Sequence, residues 1–259
     1  MSLTISSSIG DSNLDVPPND VVETNRQLRK AYAEIAQLAG GLAHEIRNPL
    51  STMRMNLDLL AEDFARPENS RDKRVLQKID RVRKESHRLE LILEDFLRFA
   101  RAQELRTARA DLNSVLEEVC DFCEGQGVSR GVISRMRLDH NLPKVELDSD
   151  LFKQALLNLI LNAQNAMPDG GELILTTHRE ERWAVLDVTD TGTGIAPENL
   201  THIFDAFFST RSGGSGLGLP TARKIIEAHG GSISVESDLG KGSKFRIRIP
   251  LSPDLSRSL

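Results

Sequence analysis

"VLQKIDRVRKESHRLELILEDFLRFA", Val75 to Ala100, sets Val75, Ile79, Val82, Ser86, Leu89, Leu93, Phe96 and Ala100 at alternating spacings of four and three without a slip. That pattern is a helix with one apolar seam. Just upstream, "ARPENS" (Ala65 to Ser70) combines a proline with turn formers and reads as a tight connection. Before the turn, from Pro18 to Phe64, a second heptad runs through the chain. Leu28, Ile35 and Leu42 make one of its rows, and Tyr32, Ala39, Ile46, Met53 and Leu60 the other. Two helices of about forty and thirty residues joined by a short turn form an antiparallel hairpin. One hairpin cannot cover both seams, so the sequence predicts a homodimer built on a four-helix bundle.

Beyond Ala102 the texture changes. A helix from about Asp111 to Glu124 precedes the strand-like "GVISRMRLD" and "KVELD", and another spans Asp150 to Met167, ending at Pro168-Asp169-Gly170-Gly171. "ELILTTH" and "WAVLDVTD" read as neighbouring strands. After a glycine-rich loop comes a helix over Leu217 to His229, then "SISVES" and "SKFRIRIP" as two more strands. The sum is an α+β chain: a helical hairpin over 19–103, then a two-layer α/β domain over 104–252 with its helices on one face of the sheet. Residues 1–18 are rich in Ser, Asn, Asp and Pro without periodicity and are expected to be disordered; 253–259 read as a flexible tail.

The chain has 259 residues and is 39% hydrophobic, enough for one large or two modest cores, and only 4% aromatic, which suits long helices and a small sheet. No apolar run approaches the ~18 residues of a membrane span, and "MSLTISSSIGDSN" lacks the basic and apolar regions of a signal peptide, so a cytoplasmic protein is expected. A net charge of −5 with interspersed signs argues against nucleic acid and anionic membranes as partners. The only cysteines, Cys120 and Cys123, form a CxxC. They continue the apolar stripe of Leu112, Val115, Leu116 and Val119, and no second ligand pair exists, so buried packing is favoured over redox or zinc chemistry.

Four short motifs carry chemistry. In "HEIRNP" (His44 to Pro49) the register puts Ile46 in the seam and His44 on the outward face. Pro49 inside the helix costs about 3 kcal/mol and frees the carbonyl of Glu45, a local penalty that suggests a site. In "NLILNAQNAM" (Asn158 to Met167), Asn158 and Asn162 share one helical face and present two amide oxygens, ligands suited to Mg2+; the bland alternative is a polar helix face. "DTGTGI" (Asp190 to Ile195) follows an apolar strand. Asp190 is placed to accept a hydrogen bond from an exocyclic amine, and Gly192 and Gly194 let backbone approach a flat ring; alone, this motif is often only a turn. "GGSGLGL" (Gly213 to Leu219) leads straight into a helix, an arrangement that binds phosphates. It is not a dinucleotide fingerprint, because the spacing and preceding element differ.

Together and in this order, the motifs resemble the H, N and two glycine boxes of the sensor histidine kinases of two-component signalling, with "IFDAFFST" (Ile203 to Thr210) similar to their F box. The resemblance covers about residues 20 to 250, and "NAQNAMP" and "FFSTR" look most like the nitrogen-regulation branch. It implies a dimerisation and histidine-phosphotransfer hairpin followed by an ATP-binding domain of the gyrase, chaperone, histidine-kinase and mismatch-repair (GHKL) type. The implied reaction is autophosphorylation of His44 by Mg-ATP and transfer to an aspartate in the receiver domain of a response regulator. Glu45 would accept the proton from the second ring nitrogen, curling back across the ~100° between adjacent helix residues, and Asn48 would position water for a phosphatase reaction. Asp190 would bind the adenine amine, with Ser243 behind it. Asn162 and Asn158 would hold Mg2+, the loop from Gly214 through Ser215, Gly216, Leu217 and Gly218 would cradle the phosphates, and Arg211 would clamp one of them. Asn165 and Ala166 depart from the common pattern, where basic and aromatic residues are frequent. The alternatives are a GHKL-type ATPase, disfavoured because Asn158 stands where those relatives carry a glutamate, and a degenerate kinase acting as a dimeric scaffold or phosphatase. No sensory or receiver domain is apparent, so the regulator is expected to be a separate protein.

Overall fold

The computed structural model describes residues 3–6, 46–100, 105–129, 131–211 and 214–251. They fall into two compact units, with the break between Gln103 and Glu104; the short segment Thr210–Ser215 groups with the helical unit. His44 and Glu45, and the earlier heptad positions Leu28 to Leu42, lie outside the described residues.

The helical unit consists of α1, over 46–63, and α2, Ser70–Ala100. Pro49 lies within helical backbone, and α1 continues through it. Asn69 starts α2: its Oδ1 accepts from the N–H groups of Arg71 (2.8 Å) and Asp72 (3.0 Å), while Asp72 Oδ2 accepts from Glu68 N–H (3.1 Å). This reciprocal pair of bonds satisfies donors that a helix start leaves open and fixes the turn. Across the hairpin, Arg54 pairs with Glu90 at 3.2 Å and Arg83 with Asp58 at 2.9 Å. The covered row of α1 is Leu50, buried, with Leu57 and Phe64 half-buried. That row was not read from the sequence, because a strict seven-residue step from Leu42 lands on Pro49; one residue further on, the step of seven resumes. The row of Ile46, Met53 and Leu60 stays exposed, as do Val82 and Leu89 on α2.

The second unit is an α+β sandwich, as the patterning predicts. Its strands are β1 (Leu3–Ser6), β2 (Ala108–Ala110), β3 (Val132–Arg137), β4 (Val145–Leu147), β5 (Gly171–Glu180), β6 (Trp183–Asp190), β7 (Ser232–Asp238) and β8 (Gly242–Pro250). Its helices are α3 (Leu112–Ser129), α4 (Ser149–Ala166) and α5 (Gly218–Ala228). Six strands form one sheet in the order β1-β7-β8-β6-β5-β3, parallel only between β3 and β5, and β2 pairs with β4 in a separate ribbon. Of residues 1–18, expected to be disordered, Leu3 to Ser6 form β1 and pair antiparallel with Ser237 to Ser234. The short alternation of Leu3 and Ile5 with Thr4 and Ser6 is outweighed in composition by the serines around it.

Alternate strand residues seal the core. Leu173, Leu175, Leu186, Val188, Phe245 and Ile247 are buried against Leu116, Phe152, Leu156, Leu159, Ile225 and Ile226 of the helices. The opposite face of the sheet carries a charged ladder. Arg246 reaches Asp187 through two bonds of 2.8 and 2.9 Å, Lys244 joins the same carboxylate at 3.2 Å, and Arg248 and His178 hold Glu180 at 3.2 and 3.1 Å. Burial opposes ionisation of Asp187, but Arg246 and then Lys244 hold its carboxyl below the ordinary value. Glu180 is likewise lowered, by His178 first and then, against burial, by Arg248 and Arg246. The ladder locks the register that pairs Asp187 with Arg246.

Cys120 and Cys123 are unbridged and buried in the α3 stripe. Burial, with Cys123 and nearby acids adding to it, pushes the Cys120 thiol up to about 12, and burial raises Cys123 as well. Neither is a thiolate near neutral pH, in keeping with the packing role.

Candidate functional site

The candidate residues of the second unit converge where α4, the start of α5 and the end of β6 meet. Asp148 caps α4, its Oδ1 accepting from Leu151 N–H at 3.2 Å. Two and a half turns on, Asn158 and Asn162 lie half-buried on one face of α4. α5 begins opposite them: a Cβ placed on Gly218 would come within 3.7 Å of Asn158 Oδ1. The first residues of α5 therefore lie beside the amide, with room left by the missing side chain.

No side chain caps α5. Leu217 at its N-cap position is fully buried, and Thr221, one turn inside, spends its hydroxyl on Leu217 C=O at 2.6 Å. A helix start without a side-chain cap, preceded by glycines, has the electrostatics of an anion site. Gly216 takes φ +67°, and a Cβ there would meet Phe207 C at 2.5 Å and Phe208 O at 2.7 Å. Phe207, itself at φ +68°, donates its N–H to Gly216 C=O at 3.1 Å, so the "FDAFF" turn clasps the loop that leads into α5.

Asp190 ends β6, 3% exposed, directly across from Ser243 of β8. Its Oδ1 accepts from Gly192 N–H at 2.9 Å. The glycines that follow have a reason that differs from the one read in the sequence. A Cβ on Gly192 would meet Ala166 O at 2.5 Å, and one on Gly194, at φ +67°, would run into Asp238 O. The chain itself fills these spaces: Thr193 N–H donates to Ala166 C=O (2.9 Å) and Gly240 N–H to Thr193 C=O (2.7 Å). The glycines bring the loop onto α4 on one side and the β7–β8 turn on the other, and so fix where Asp190 stands.

Ser237 was missed by sequence reasoning. Its buried hydroxyl accepts from Ile195 N–H (2.9 Å), donates to Gly242 C=O (2.8 Å) and lies 3.1 Å from Ser243 Oγ. It braces the loop after Asp190 from a strand more than forty residues away, and its only local signal is a polar residue at an inward position of the alternating "SISVES".

Arg211 is exposed, and Ser215, with Gly214 before it, belongs to the helical unit, where the Ser215 hydroxyl donates to Asp95 of α2 at 2.7 Å. Asn48 is exposed on α1. Asn165 is exposed at the end of α4. Among the described residues no cluster of three His, Cys, Asp or Glu side chains could hold a metal ion. The Asn158 amide oxygen beside an uncapped helix start, with Asn162 one turn along the same face of α4, suits a hard cation that takes its other ligands from phosphate and water. Among the described residues no helix is long and apolar enough to cross a membrane.

The chain is similar to several known proteins. Residues 147–253 match the family model for histidine kinase-, DNA gyrase B- and HSP90-like ATPases, and residues 34–105 the His kinase A (phospho-acceptor) domain. The sensor histidine kinase ZraS of Escherichia coli (strain K12) is 33% identical, over 90% of this chain and 49% of its own. The chain spans about half the length of the curated relatives it matches. The full-length structure of ShkA with AMPPNP aligns with a TM-score of 0.66 at 27% identity, over 83% of this chain and 46% of that one. The histidine kinase ThkA in complex with the response regulator protein TrrA aligns with a TM-score of 0.64 at 28% identity, over 93% and 69%.

Proposed function

The chain belongs to the histidine kinase family, and from that premise we propose that it is the catalytic core of a homodimeric, ATP-dependent protein histidine kinase that phosphorylates His44 and passes the phosphoryl group to an aspartate of a response regulator. The observation that carries the reading is the placement of Asn158 beside Gly218, which sets an amide against an uncapped helix start. In the reaction a neutral ring nitrogen of His44 attacks the γ-phosphorus, the bond from that phosphorus to the bridging oxygen breaks, and ADP departs. Glu45 takes the proton from the other ring nitrogen and offsets the charge on the ring. Asp190 orients the adenine through its amine, with Ser243 behind it, and Gly192 and Gly194 allow the loop to seat. The N–H groups from Gly216 through Gly218 bind the phosphates, and Gly214, Ser215 and Arg211 are assigned to the same ligand. Mg2+ held by Asn162 and Asn158 would screen the phosphate charge.

His44 lies four residues before Asn48, the spacing of one helical face, and Asn48 is exposed. A receiver domain therefore has access to Asn48. Asn48 would hold the water that hydrolyses the regulator's acyl phosphate, giving the kinase a phosphatase activity as well. The ThkA complex with TrrA supports a regulator as partner, and the exposed row of Met53 and Leu60 supports a second copy of the hairpin. The substrate ATP places the core in the cytoplasm.

Incubation with γ-labelled Mg-ATP tests the reading. The expected result is protein-bound label that is stable to alkali, labile to acid and absent from His44→Gln, a variant that still dimerises and binds ATP. Label that persists in His44→Gln would remove His44 as the acceptor, and free phosphate without labelled protein would point to an ATPase.

A further inference from the structure

Buried near the end of α5, His229 is 8% exposed and makes two specific bonds. Its Nε2 lies 2.9 Å from Asp148 N, and its Nδ1 2.8 Å from Ile225 O. A backbone N–H only donates, so Nε2 is the acceptor; a carbonyl only accepts, so Nδ1 carries the proton. The ring is thus a neutral imidazole in one tautomer, and Phe152 of α4 meets it edge-on with centroids 5.9 Å apart.

Asp148 is the N-cap of α4, and His229 is the residue that ends α5. Asn158 and Gly218 mark another point of approach of these two helices. From Asp148 to Asn158 is ten residues (158 − 148), and from Gly218 to His229 eleven (229 − 218). At about 1.5 Å per residue these are antiparallel rods of about 15 and 16 Å. They are tied at one end by the His229–Asp148 bond and face each other at the other end across the nucleotide site. A slip of α5 by one residue would displace the phosphate-facing helix start by about 1.5 Å relative to the amides, more than a phosphate–metal geometry tolerates.

We propose that His229 and Asp148 are positioning residues for the nucleotide: their bond sets the axial register of α5 on α4, and with it the gap between the amide pair of Asn158 and Asn162 and the phosphate-binding start of α5. This rests on the assignment of those amides to Mg-ATP. Asp148 has a further tie that extends the role. Its Oδ2 accepts from Arg106 N–H at 2.9 Å, in the strand-bound segment that enters this unit just ahead of β2. One carboxylate thus joins the incoming chain to the cap of α4, and its own backbone N–H holds α5.

Two near-isosteric variants separate positioning from general packing. His229→Gln carries an oxygen to the place of Nε2 and keeps the bond to Asp148. His229→Asn keeps only the bond to Ile225, because its shorter amide ends at the place of Nδ1. In the full chain, isothermal titration with Mg-ATP and separately with adenosine is expected to show Mg-ATP affinity reduced about tenfold in His229→Asn, the scale of outer-shell losses at metal sites. His229→Gln should bind close to the unchanged chain, and adenosine affinity should stay constant in both. Normal Mg-ATP binding by His229→Asn, equal losses in the two variants, or a loss shared by adenosine would each overturn the proposal. Asn162→Asp serves as the control. If it loses Mg-ATP while His229→Asn does not, only the positioning role fails; if Asn162→Asp binds Mg-ATP normally, the amide assignment fails and takes the positioning role with it.

Discussion

In the α/β unit Leu175, Leu186, Phe245 and Ile247 are sealed between the sheet and its helices, whereas in the hairpin Met53, Leu60, Val82 and Leu89 stand between 44% and 55% exposed. Both regions are regularly patterned, one with period 2 and one with alternating steps of three and four. The difference lies in what each pattern can close on. A sheet with helices on one face buries its inward residues within one chain and leaves an outward face that a ladder of ion pairs solvates. Two helices have only each other, and a seam that turns past the partner helix stays open until a second hairpin arrives. Regular patterning therefore reports that an apolar face will be covered, and the number of layers in the chain decides whether the chain itself can cover it.

The largest expected effect attacks the open seam. Met53→Asp combined with Leu89→Asp should convert the dimer to monomer at micromolar concentration, because a symmetric interface carries each new charge twice. Light scattering checks the mass. A dimer of unchanged affinity would mean that this seam faces something other than a second copy. The closed core gives the contrasting case. Leu186→Ala, at a site with no exposure, should cost roughly 3 kcal/mol of stability at every protein concentration. Leu89→Ala should instead lower the melting temperature by an amount that shrinks as protein concentration rises, since its side chain finds its partner in another chain. If both losses were independent of concentration, the distinction between the two regions would collapse.

How much of this was legible follows the same division. The strands over 132–137, 171–180, 183–190, 232–238 and 242–250 were readable because each holds a short apolar or alternating core, such as Leu173 to Leu175 or Phe245, Ile247 and Ile249, bounded by turn formers. β2 was not, since three residues, Ala108 to Ala110, offer no period, and its partner β4 lies about 35 residues away. In the hairpin the exposed row was read correctly and the buried row of Leu50, Leu57 and Phe64 was not, because Pro49 offsets the repeat by one. Of the candidate site, Asn158, Asn162 and Asp190 were proposed from local spacing. Ser237, Asp148 and His229 were not, since each acts through a partner that only the fold brings near. Gly192 and Gly194 were legible as necessary, but the neighbour that demands them is the chain's own backbone.

The outward ladder tests whether the sheet's charged face stabilises or merely solvates. Asp187→Asn should cost on the order of 2 kcal/mol, as the amide leaves Arg246 and Lys244 with a weaker partner in a half-screened setting. The folded-state values of Asp187 and Glu180 are both lowered. Their contribution is therefore complete above the unfolded-chain carboxylate values of about 4 and is lost as the pH falls from there through the lower folded values. Thermal melts taken from pH 6 down to pH 3 should narrow the gap between the Asp187→Asn variant and the unchanged chain toward the acid end. A constant difference across that range would assign the loss to packing instead of charge.

The smallest effect concerns the turn that decides which rows of the hairpin face each other. Asn69 accepts from two N–H groups and Asp72 returns a bond to Glu68 N–H, so Asn69→Ala removes one half of a reciprocal cap. The expected loss is about 1 kcal/mol, the usual scale for an N-cap, and Asn69→Asp should restore it. Because the turn lies at the end of the hairpin and the open seam along its side, this loss should be the same in the dimer and in the Met53→Asp/Leu89→Asp monomer. A cap that mattered only in the dimer would mean that the second copy, not the turn chemistry, sets the register of the two helices, and the hairpin would then depend on its partner for its geometry as well as for its apolar cover.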